Sequence, residues 1–355
     1  MRYLIVTYDD YFNIPYIKFY EDYLKKHDQA YDIVLWNRSG HEIDIPNAYV
    51  YKARDRHSRV GKLIPFMGWR RFVLDILKKQ RYDRLIVLTT LPAVLLADKL
   101  LGEYRNRFWF DIRDFTYENI APYKNLVGKL VDAAAAVSIS SPAFRGFLPK
   151  SDKIYLTHNI SNQDAAEPRC DLAPGNSPIT IGFVGGIQFF EQNKLLLQQF
   201  ANHPGFRLKY VGKPHLGCDL EPFCQKNNIH NAEFHPAFTN DRKPAIYRDI
   251  QLINCIYGNH NQVVRLLLPN RLYDCVLFKK PILVSSGTYL AEVVAQYHLG
   301  ISVDVEADDV VQAVNAYLEN FDPAVFEQGC RQFLEKVEEE IAVYDAVLRT
   351  FCQQN

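Results

Sequence analysis

Short runs of apolar, often β-branched residues alternate along the whole chain with stretches whose apolar residues recur every three or four positions. The runs predict strands and the stretches predict helices. The predicted strands of the first half are 3–8, 31–36, 48–53, 83–90, 107–114, 136–140 and 153–159, with helices such as 14–27 and 91–104 between them. Those of the second half are 179–186, 206–212, 232–238, 250–257, 281–286 and 300–305. This alternation is typical of α/β proteins with doubly wound parallel sheets.

A polar segment rich in proline, glycine, asparagine and aspartate separates the two sets of strands and has no apolar period. It predicts a linker between two domains, which the length of 355 residues also favours. The predicted organisation is a Rossmann-like domain over 1–165, a linker over 166–178, a second Rossmann-like domain over 179–322 and C-terminal helices over 323–355. Ligands are expected in a cleft between the two sheets.

The C-terminal segment has apolar residues at helical spacing, namely Phe333, Val337, Ile341, Tyr344, Leu348 and Phe351. Such a stripe needs a surface to cover. The N-terminal domain is one candidate surface, if the helix crosses back to it.

Composition narrows the class of protein. Hydrophobic residues make up 48% and charged residues 23%, which is ordinary for a globular protein. All seven cysteines lie in the second half without a CxxC pair, so we expect reduced thiols and no zinc site. The chain has no apolar run of the roughly 20 residues that span a bilayer, and its first residues read as a strand and not as a secretory signal. We therefore expect a cytoplasmic location.

Residues 268–294, LPNRLYDCVLFKKPILVSSGTYLAEVV, combine two predicted helix starts with a strand between them. Pro269 fits a first helical turn, whose free amides can bind a phosphate. Arg271 adds a positive fork for the same anion, and Asp274 lies one turn deeper, where a carboxylate can accept the hydroxyls of a ribose. The alternative is an exposed ion pair between Arg271 and Asp274, which are three residues apart.

Two further backbone features lie near predicted strand ends. Ser286, Gly287 and Thr288 precede the second helix start and offer another set of amides, with Glu292 as either a ligand or a surface residue. Gly185 and Gly186 end the first strand of the second sheet, where they either admit a ligand close to the backbone or form an ordinary tight turn. The chain contains no GxGxxG, P-loop or GxSxG motif.

Residues 268–294 resemble the donor-binding segment of glycosyltransferases of the GT-B type close to glycosyltransferase family 4, which assemble bacterial capsule, exopolysaccharide and lipopolysaccharide. The resemblance rests on Pro269-Asn270-Arg271-Leu272-Tyr273-Asp274, on Lys280-Pro281-Ile282-Leu283-Val284, and on IGFVGG, KYVG and YLAEVVAQYHLGISVDV in the same order. It covers most of 179–305, and FDIRDF, VSISSPAFRGFLP and IYLTHN match more loosely. It implies a GT-B fold and a site for a nucleoside diphosphate sugar.

The sequence departs from the family pattern at several positions. Asp274 stands for the usual glutamate and Arg271 for the commoner lysine, while Leu266 occupies the position of the other glutamate of the family pair. The arginine that follows the glycine turn in the family is absent, and Arg265 is the candidate for its charge. These departures affect the retaining stereochemistry that the resemblance implies more than they affect donor binding.

Activation of an acceptor hydroxyl needs a carboxylate or a histidine. The segment FDIRDFTYEN supplies Asp111, Asp114 and Glu118, and the resemblance favours Asp114 as base or acceptor ligand. Its alternative roles are an ion pair with Arg113 or a helix cap. The reserve candidates are Asp9 and Asp10, and His158, which either lines the site or packs in the core.

No Asp-x-Asp motif is present, so we expect neither a metal nor another cofactor in the reaction. Arginine and backbone amides would then supply the positive charge that stabilises the leaving diphosphate.

Residues 52–81 contain ten lysines or arginines against two aspartates, interleaved with large apolar residues. Such a segment favours a surface of anionic lipid. Nucleic acid and plain solvent are the alternatives, although no nucleic-acid-binding motif accompanies the segment. The residues assigned to the membrane and acceptor are Arg54, Arg56, Arg59, Lys62, Phe66, Trp69, Arg70 and Arg71.

The two halves of the chain also differ in net charge, and the half that contains the basic segment is the more positive one. Residues up to 165 include 25 basic and 19 acidic residues, and the remainder include 16 and 22. Either the basic half has an anionic surface as partner, or the two domains simply differ in isoelectric point.

Together with the resemblance, these features predict a metal-independent glycosyltransferase that moves a sugar from a UDP- or GDP-linked donor to a hydroxyl of a lipid-linked saccharide at the inner face of the cell membrane. The resemblance implies that the enzyme retains the anomeric configuration. Two other functions remain open. A sugar-nucleotide epimerase of the same architecture would turn over the donor without an acceptor, and a regulatory module would bind nucleotide sugar without any chemistry.

Overall fold

The computed structural model of the chain describes residues 1–38, 40, 44–52, 63–160 and 178–353. These residues divide into two compact units. The first domain comprises Met1–His158 together with Glu340–Asn355, and the second domain comprises Asn159–Glu339. The predicted linker over 166–178 lies outside the described residues except for its last position.

The first domain is built on a seven-stranded sheet of order β3-β2-β1-β4-β5-β6-β7. All neighbouring strands pair in parallel. The strands are β1 (Arg2–Val6), β2 (Ala30–Asn37), β3 (Ala48–Lys52), β4 (Arg84–Leu88), β5 (Phe108–Ile112), β6 (Ala136–Ile139) and β7 (Ile154–Leu156). The helices are α1 (Ile17–Lys26), α2 (Leu63–Lys79), α3 (Thr90–Leu95), α4 (Ala97–Leu101) and α5 (Ala121–Ala133).

The second domain has a six-stranded parallel sheet of order β10-β9-β8-β11-β12-β13. Its strands are β8 (Ile179–Val184), β9 (Phe206–Val211), β10 (Ala232–His235), β11 (Leu252–Cys255), β12 (Ile282–Ser285) and β13 (Gly300–Val303). Its helices are α6 (Phe190–Gln199), α7 (Leu220–Lys226), α8 (Lys243–Arg248), α9 (Gln262–Leu266), α10 (Asn270–Leu277), α11 (Tyr289–Gln296) and α12 (Val310–Glu319).

The thirteen predicted strands and their α/β alternation are confirmed. Central strands such as β4 and β5 are buried along their whole length, which explains their continuous apolar sequence. Strand β4 ends at Leu88, two residues before the predicted end, because Thr89 has a φ of 70° and cannot continue a strand.

The C-terminal segment forms one long helix, α13 (Pro323–Gln353). Its first half packs in the second domain, where the Phe333 ring lies 5.4 Å from Tyr297. Its last turns pack in the first domain, where Tyr344 and Phe351 lie 5.3 and 5.6 Å from Trp109. The predicted apolar stripe is thereby buried except for Ile341, which is half-buried. The return of this helix to the N-terminal domain is confirmed.

Candidate functional site

A turn without side chains follows β8 at the carboxyl edge of the second sheet. Gly185 has a φ of +123° and donates its N–H to Val211, and Gly186 is exposed. Gly212 crosses this turn so closely that a Cβ on it would lie 1.8 Å from the Gly185 carbonyl oxygen. Glycine is therefore required where the two segments cross. The exposed side of the turn leaves the backbone open to a ligand.

Arg271 lies beneath this turn, in the first turn of α10. Its side chain donates from Nε to the Val184 carbonyl at 2.8 Å and from Nη1 to the Asn254 carbonyl at 3.3 Å. Its guanidinium carbon lies 3.3 Å from the centre of the Phe183 ring. Arg271 is only 4% exposed, yet no carboxylate among the described residues forms an ion pair with it. The result is a buried positive charge held by neutral groups.

The position of the second guanidinium nitrogen points this charge at the glycine turn. Nη2 of Arg271 lies 3.6 Å from the place that a Cβ on Gly185 would occupy. Arg271 and the glycine turn, which were both predicted to bind the donor, are therefore adjacent. Pro269 is the cap residue before α10 and not its first helical residue.

Asp274 occupies a different environment from the one predicted. Its carboxylate accepts from Lys243 Nζ at 2.8 and 3.0 Å, and from the Tyr247 hydroxyl at 2.8 Å. The side chain is buried, and the residue is 5% exposed. The exposed pair of Asp274 with Arg271 is therefore not formed. Lys243 and Tyr247 therefore take up most of the hydrogen-bonding capacity of this carboxylate.

The segment after β12 forms the second predicted helix start. Thr288 caps α11 by accepting from the Ala291 N–H, and it donates to the Ser285 carbonyl. Gly287 is exposed with a φ of +71°, and the Ser286 carbonyl accepts from the Asn259 side chain at 3.1 Å. The Ser286 N–H is donated to the Val303 carbonyl at 2.8 Å, so the predicted role of this amide in ligand binding is corrected. The amides of Gly287 and Thr288 lie at the carboxyl edge of β12, two strands from β8.

The remaining predicted donor residues are at the surface. Arg265 and Asn270 are exposed, and Arg265 donates from Nε to the Asn259 carbonyl. Glu292 is also exposed, on α11. Lys280 is buried just before β12, so it does not face a ligand at the surface.

In the first domain, Asp111 belongs to a buried polar network. Both of its oxygens accept from Arg113 Nε, at 3.1 and 2.9 Å, and Oδ1 also accepts from the Ser138 hydroxyl at 2.8 Å. Ser138 in turn accepts from the Trp109 indole. Asp111 is fully buried, so its assignment as a catalytic group is corrected: it holds Arg113 in place and does not reach the surface.

Asp114 is the carboxylate that the carboxyl edge of β5 presents to solvent. It is exposed, and no other described residue forms a hydrogen bond or an ion pair with it; Arg113, its alternative partner, pairs with Asp111. Surrounding protein atoms crowd the group although it is open to solvent. This desolvation raises the pKa of Asp114, the neighbouring acidic groups Asp111, Glu118 and Asp9 raise it further, and Arg113 opposes them.

Glu118 lies close to the same edge but is buried. Its Oε2 accepts from the Thr116 N–H at 2.5 Å, and its Oε1 is buried without a hydrogen bond to a described residue. The hydrogen bond of Glu118 is therefore with the backbone that follows Asp114.

The reserve candidates differ in exposure. Asp9 is half-buried and accepts from the Asp10 N–H and the Asn13 side chain. Asp10 is buried and accepts from the Arg38 N–H. His158 is buried and lies 2.8 Å from Glu340 Oε2, which agrees with the packing alternative.

The basic segment is only partly described, since Arg54, Arg56, Arg59 and Lys62 lie outside the described residues. Trp69 is fully buried, so its assignment to a membrane surface is wrong. Phe66 is half-buried against Trp36, with 5.1 Å between ring centres, and Arg70 bonds to the Leu95 carbonyl and to Asp98. Arg71 is exposed, as are Ile64 at 55% and Met67 at 57%.

Over the part of the chain that the structure describes, no group of three or more His, Cys, Asp and Glu side chains is placed to hold a metal ion. None of the described helices combines the length and the apolar character needed to cross a bilayer.

Sequence reasoning missed three residues that shape these edges. Lys243 and Tyr247 donate hydrogen bonds to Asp274. The only sequence signal for Lys243 is its place in a Lys-Pro pair at a helix start. His215 lies beside the glycine turn, since its Nε2 is 2.7 Å from the place of a Cβ on Gly186. No pattern in the sequence marks His215.

No protein-family model and no curated protein sequence matches the chain. Solved structures match it at low sequence identity. Sucrose-phosphate synthase from Thermosynechococcus elongatus has 13% identity and a TM-score of 0.69, with 100% of both chains covered. HepE of Anabaena in complex with UDP-glucose has 14% identity and a TM-score of 0.68, also with 100% of both covered.

WaaG, a glycosyltransferase involved in lipopolysaccharide biosynthesis, has 11% identity and a TM-score of 0.61, with 95% of both chains covered. These similarities extend over both domains. The chain therefore has the fold of the GT-B glycosyltransferases, with two Rossmann-like domains built on parallel sheets.

Proposed function

We propose that the protein is a glycosyltransferase that moves a sugar from a nucleoside diphosphate sugar to a hydroxyl group of an acceptor saccharide. The observation that carries the proposal is Arg271, a buried guanidinium without an acidic partner among the described residues. A buried charge without a counter-ion is unfavourable. A diphosphate at the adjoining glycine turn would supply the missing negative charge.

The donor would bind at the carboxyl edge of the second sheet, where ligands of open α/β sheets bind. Arg271 and the exposed backbone of Gly186, beside Gly185, would contact the diphosphate. The amides of Gly287 and Thr288 would form a second contact, since the Ser286 N–H is donated to the Val303 carbonyl. Arg265 and Asn270 are exposed at the same edge and would reach the sugar or its phosphate. The bound UDP-glucose of HepE supports a donor of this class.

The first domain would bind the acceptor and supply the base. Asp114 is exposed at a strand end and is held by no other described residue, so its carboxylate can accept the proton of a hydroxyl. Positive charge from Arg271 and from amides would stabilise the leaving diphosphate, without a metal ion. Retention of the anomeric configuration, which the family resemblance implies, completes the proposal.

We infer further that the acceptor is a lipid-linked saccharide of a bacterial surface polysaccharide, reached from the inner face of the cell membrane. Two observations support this. The structural neighbour WaaG is involved in lipopolysaccharide biosynthesis. The segment 52–81 is strongly basic, and within it Ile64, Met67 and Arg71 are exposed, a combination that favours an anionic lipid surface.

A panel of UDP, GDP, CDP and their common sugar conjugates, with and without EDTA, tests the donor site by thermal shift. Stabilisation by one nucleotide family that survives EDTA is expected, because a ligand that binds only the folded state raises its melting temperature. If no nucleotide stabilises the protein, the donor proposal fails.

Measurement of donor turnover then distinguishes a transferase from an epimerase and from a binding module. A transferase hydrolyses the donor slowly, and Asp114→Ala abolishes transfer to a saccharide. Conversion of the donor sugar without an acceptor would identify an epimerase. Donor binding with no hydrolysis at high protein concentration, and no effect of Asp114→Ala, would identify a binding module.

A further inference from the structure

The carboxyl end of β2 carries an arginine that no part of the proposed reaction uses. Arg38 follows the last residue of β2, and its backbone N–H donates to Asp10 Oδ1 at 3.1 Å. This bond fixes the arginine at the same edge of the first sheet as Asp114. Ligands of open parallel sheets bind at this edge.

The guanidinium of Arg38 has an unused hydrogen-bonding side. Its Nε and Nη2 atoms are both buried, and neither has a hydrogen-bond partner among the residues that the structure describes. These two nitrogens form the fork with which arginine binds two oxygens of a carboxylate or a phosphate. A buried donor without a partner is unfavourable, so a ligand that fills the fork removes this cost.

Aromatic rings surround the fork. The guanidinium carbon lies 4.3 Å from the ring centre of Trp36, 5.0 Å from that of Tyr8 and 5.6 Å from that of Phe66. Trp36 is fully buried, whereas Arg38, Tyr8 and Phe66 are half-buried. The rings hold the cation by cation–π contact, and the two half-buried ones offer a flat apolar face beside it.

The nearby acidic groups do not neutralise Arg38. Asp9 Oδ1 accepts from the Asp10 N–H at 2.8 Å and from the Asn13 side chain at 3.1 Å. Among the described residues, no carboxylate forms an ion pair with Arg38. The fork is thus positively charged, desolvated and without an anion.

The sheet order sets the distance from this fork to Asp114. Strands β2, β1, β4 and β5 are consecutive neighbours, so the ends of β2 and β5 are three strand separations, or about 14 Å, apart. Tyr8 follows β1, which lies between β2 and β5 in this sheet. Desolvation raises the pKa of Tyr8 to about 12, while Arg38 lowers it and Asp114 raises it. An elongated acceptor molecule could therefore contact both groups.

We propose that Arg38 with Tyr8 and Phe66 binds an oxyanion carried by the acceptor, so that the enzyme selects an acidic saccharide. The inference rests on the proposed transferase function. The oxyanion is either the carboxylate of an acidic sugar or a phosphate on the glycan, and a neutral saccharide leaves the fork empty. The sugar ring that bears the anion would pack against the half-buried rings of Tyr8 and Phe66.

Saturation-transfer NMR on the full chain tests this with three probes: methyl glucuronide, glucose 1-phosphate and the neutral methyl glucoside. Excess UDP occupies the donor site throughout. The variants are Arg38→Gln, Arg38→Lys and the control Arg105→Gln, an exposed arginine before the amino end of β5. Melting temperature and UDP affinity are measured on each variant to verify its fold.

We expect wild type and Arg105→Gln to bind one or both anionic probes and to bind methyl glucoside at least tenfold more weakly. Arg38→Gln should lose the anionic probe at least tenfold while its UDP affinity is unchanged. Arg38→Lys keeps the charge without the fork and should fall between them; it decides the question if the glutamine variant does not fold. The relative signals of the glucuronide and the phosphate identify the source of the anion.

Equal binding of neutral and anionic probes by wild type, or unchanged anion binding in folded Arg38→Gln, would overturn the proposal. Absence of all probe binding by wild type at millimolar concentration would overturn it as well. A failure of the donor site is visible separately, because it would appear as absent UDP binding in wild type and would leave the comparison of probes intact.

Discussion

Removal of the Asp274 carboxylate should mainly lower the stability of the second domain and should affect nucleotide binding less. In the structure this carboxylate accepts from Lys243 at 2.8 and 3.0 Å and from the Tyr247 hydroxyl at 2.8 Å. The Lys243 and Asp274 side chains are 15% and 7% exposed. Asp274→Ala would leave an ammonium and a buried hydroxyl without their acceptor.

The size of the effect follows from these contacts. Breaking a buried ion pair costs about 3–5 kcal/mol, and an orphaned buried hydroxyl adds about 1–3 kcal/mol. Lys243 is exposed enough to turn toward water, which recovers part of the loss. We therefore expect Asp274→Ala to lower the free energy of unfolding by roughly 3 kcal/mol, and Asp274→Asn to lower it less, since its amide oxygen still accepts one bond.

Urea unfolding of the single variants and of Lys243→Met/Asp274→Leu measures this coupling. The double variant should be much less destabilised than the sum of the single ones, because it removes both charges together. Asp249→Ala is the matched control, since Asp249 is 67% exposed in its pair with Lys209 and surface pairs contribute at most about 1 kcal/mol. Wild-type stability of Asp274→Ala together with lost UDP affinity would refute this reasoning and restore the ribose contact.

Three further predictions concern other parts of the molecule. Because the pKa of Asp114 is raised, acidification should abolish transfer at a higher pH than it would for an ordinary aspartate, and a pH profile of kcat/KM measures this. Ionisation of Asp114 opposes folding above that pKa, so Asp114→Asn should abolish transfer without lowering the melting temperature at neutral pH. Burial raises the pKa of the Cys224 and Cys352 thiols to about 11, so iodoacetamide at pH 8 should leave both unmodified in the native protein, and rapid labelling seen by mass spectrometry would contradict their placement. Ile64→Ser/Met67→Ser should reduce partition onto anionic vesicles roughly tenfold, from the apolar surface lost, with no change in melting temperature; vesicle binding equal to wild type would remove the membrane role of this surface.

The fold was predictable because its signals are local. Each strand is a short apolar run. Helix starts are marked by local residues, such as Pro269 before the helix at Asn270 and Thr288 before the helix at Tyr289. The end of β4 was not predictable, because a positive φ at Thr89 is set by its tertiary surroundings. A threonine is an unusual residue for that conformation.

The candidate site was predictable only in part, because hydrogen-bond partners are distant in sequence. The sequence placed Arg271 at a helix start and the glycines at a strand end, and the structure brings them together. It could not show that Asp274 pairs with Lys243, which lies 31 residues away. It also assigned Trp69 to the surface, because a tryptophan among basic residues resembles an interfacial anchor, whereas the α2 helix directs it into the core.

The most direct test of the donor site is calorimetric titration of UDP, in the presence of EDTA, into wild type and Arg271→Gln. We expect measurable binding to wild type without a metal ion and at least tenfold weaker binding to the variant, which corresponds to about 1.4 kcal/mol or more. Near-ultraviolet circular dichroism verifies that the variant is folded, and Arg271→Lys, which keeps the charge, should lie between the two. Equal affinity of UDP for wild type and a folded Arg271→Gln would contradict the central claim that this buried arginine holds the diphosphate.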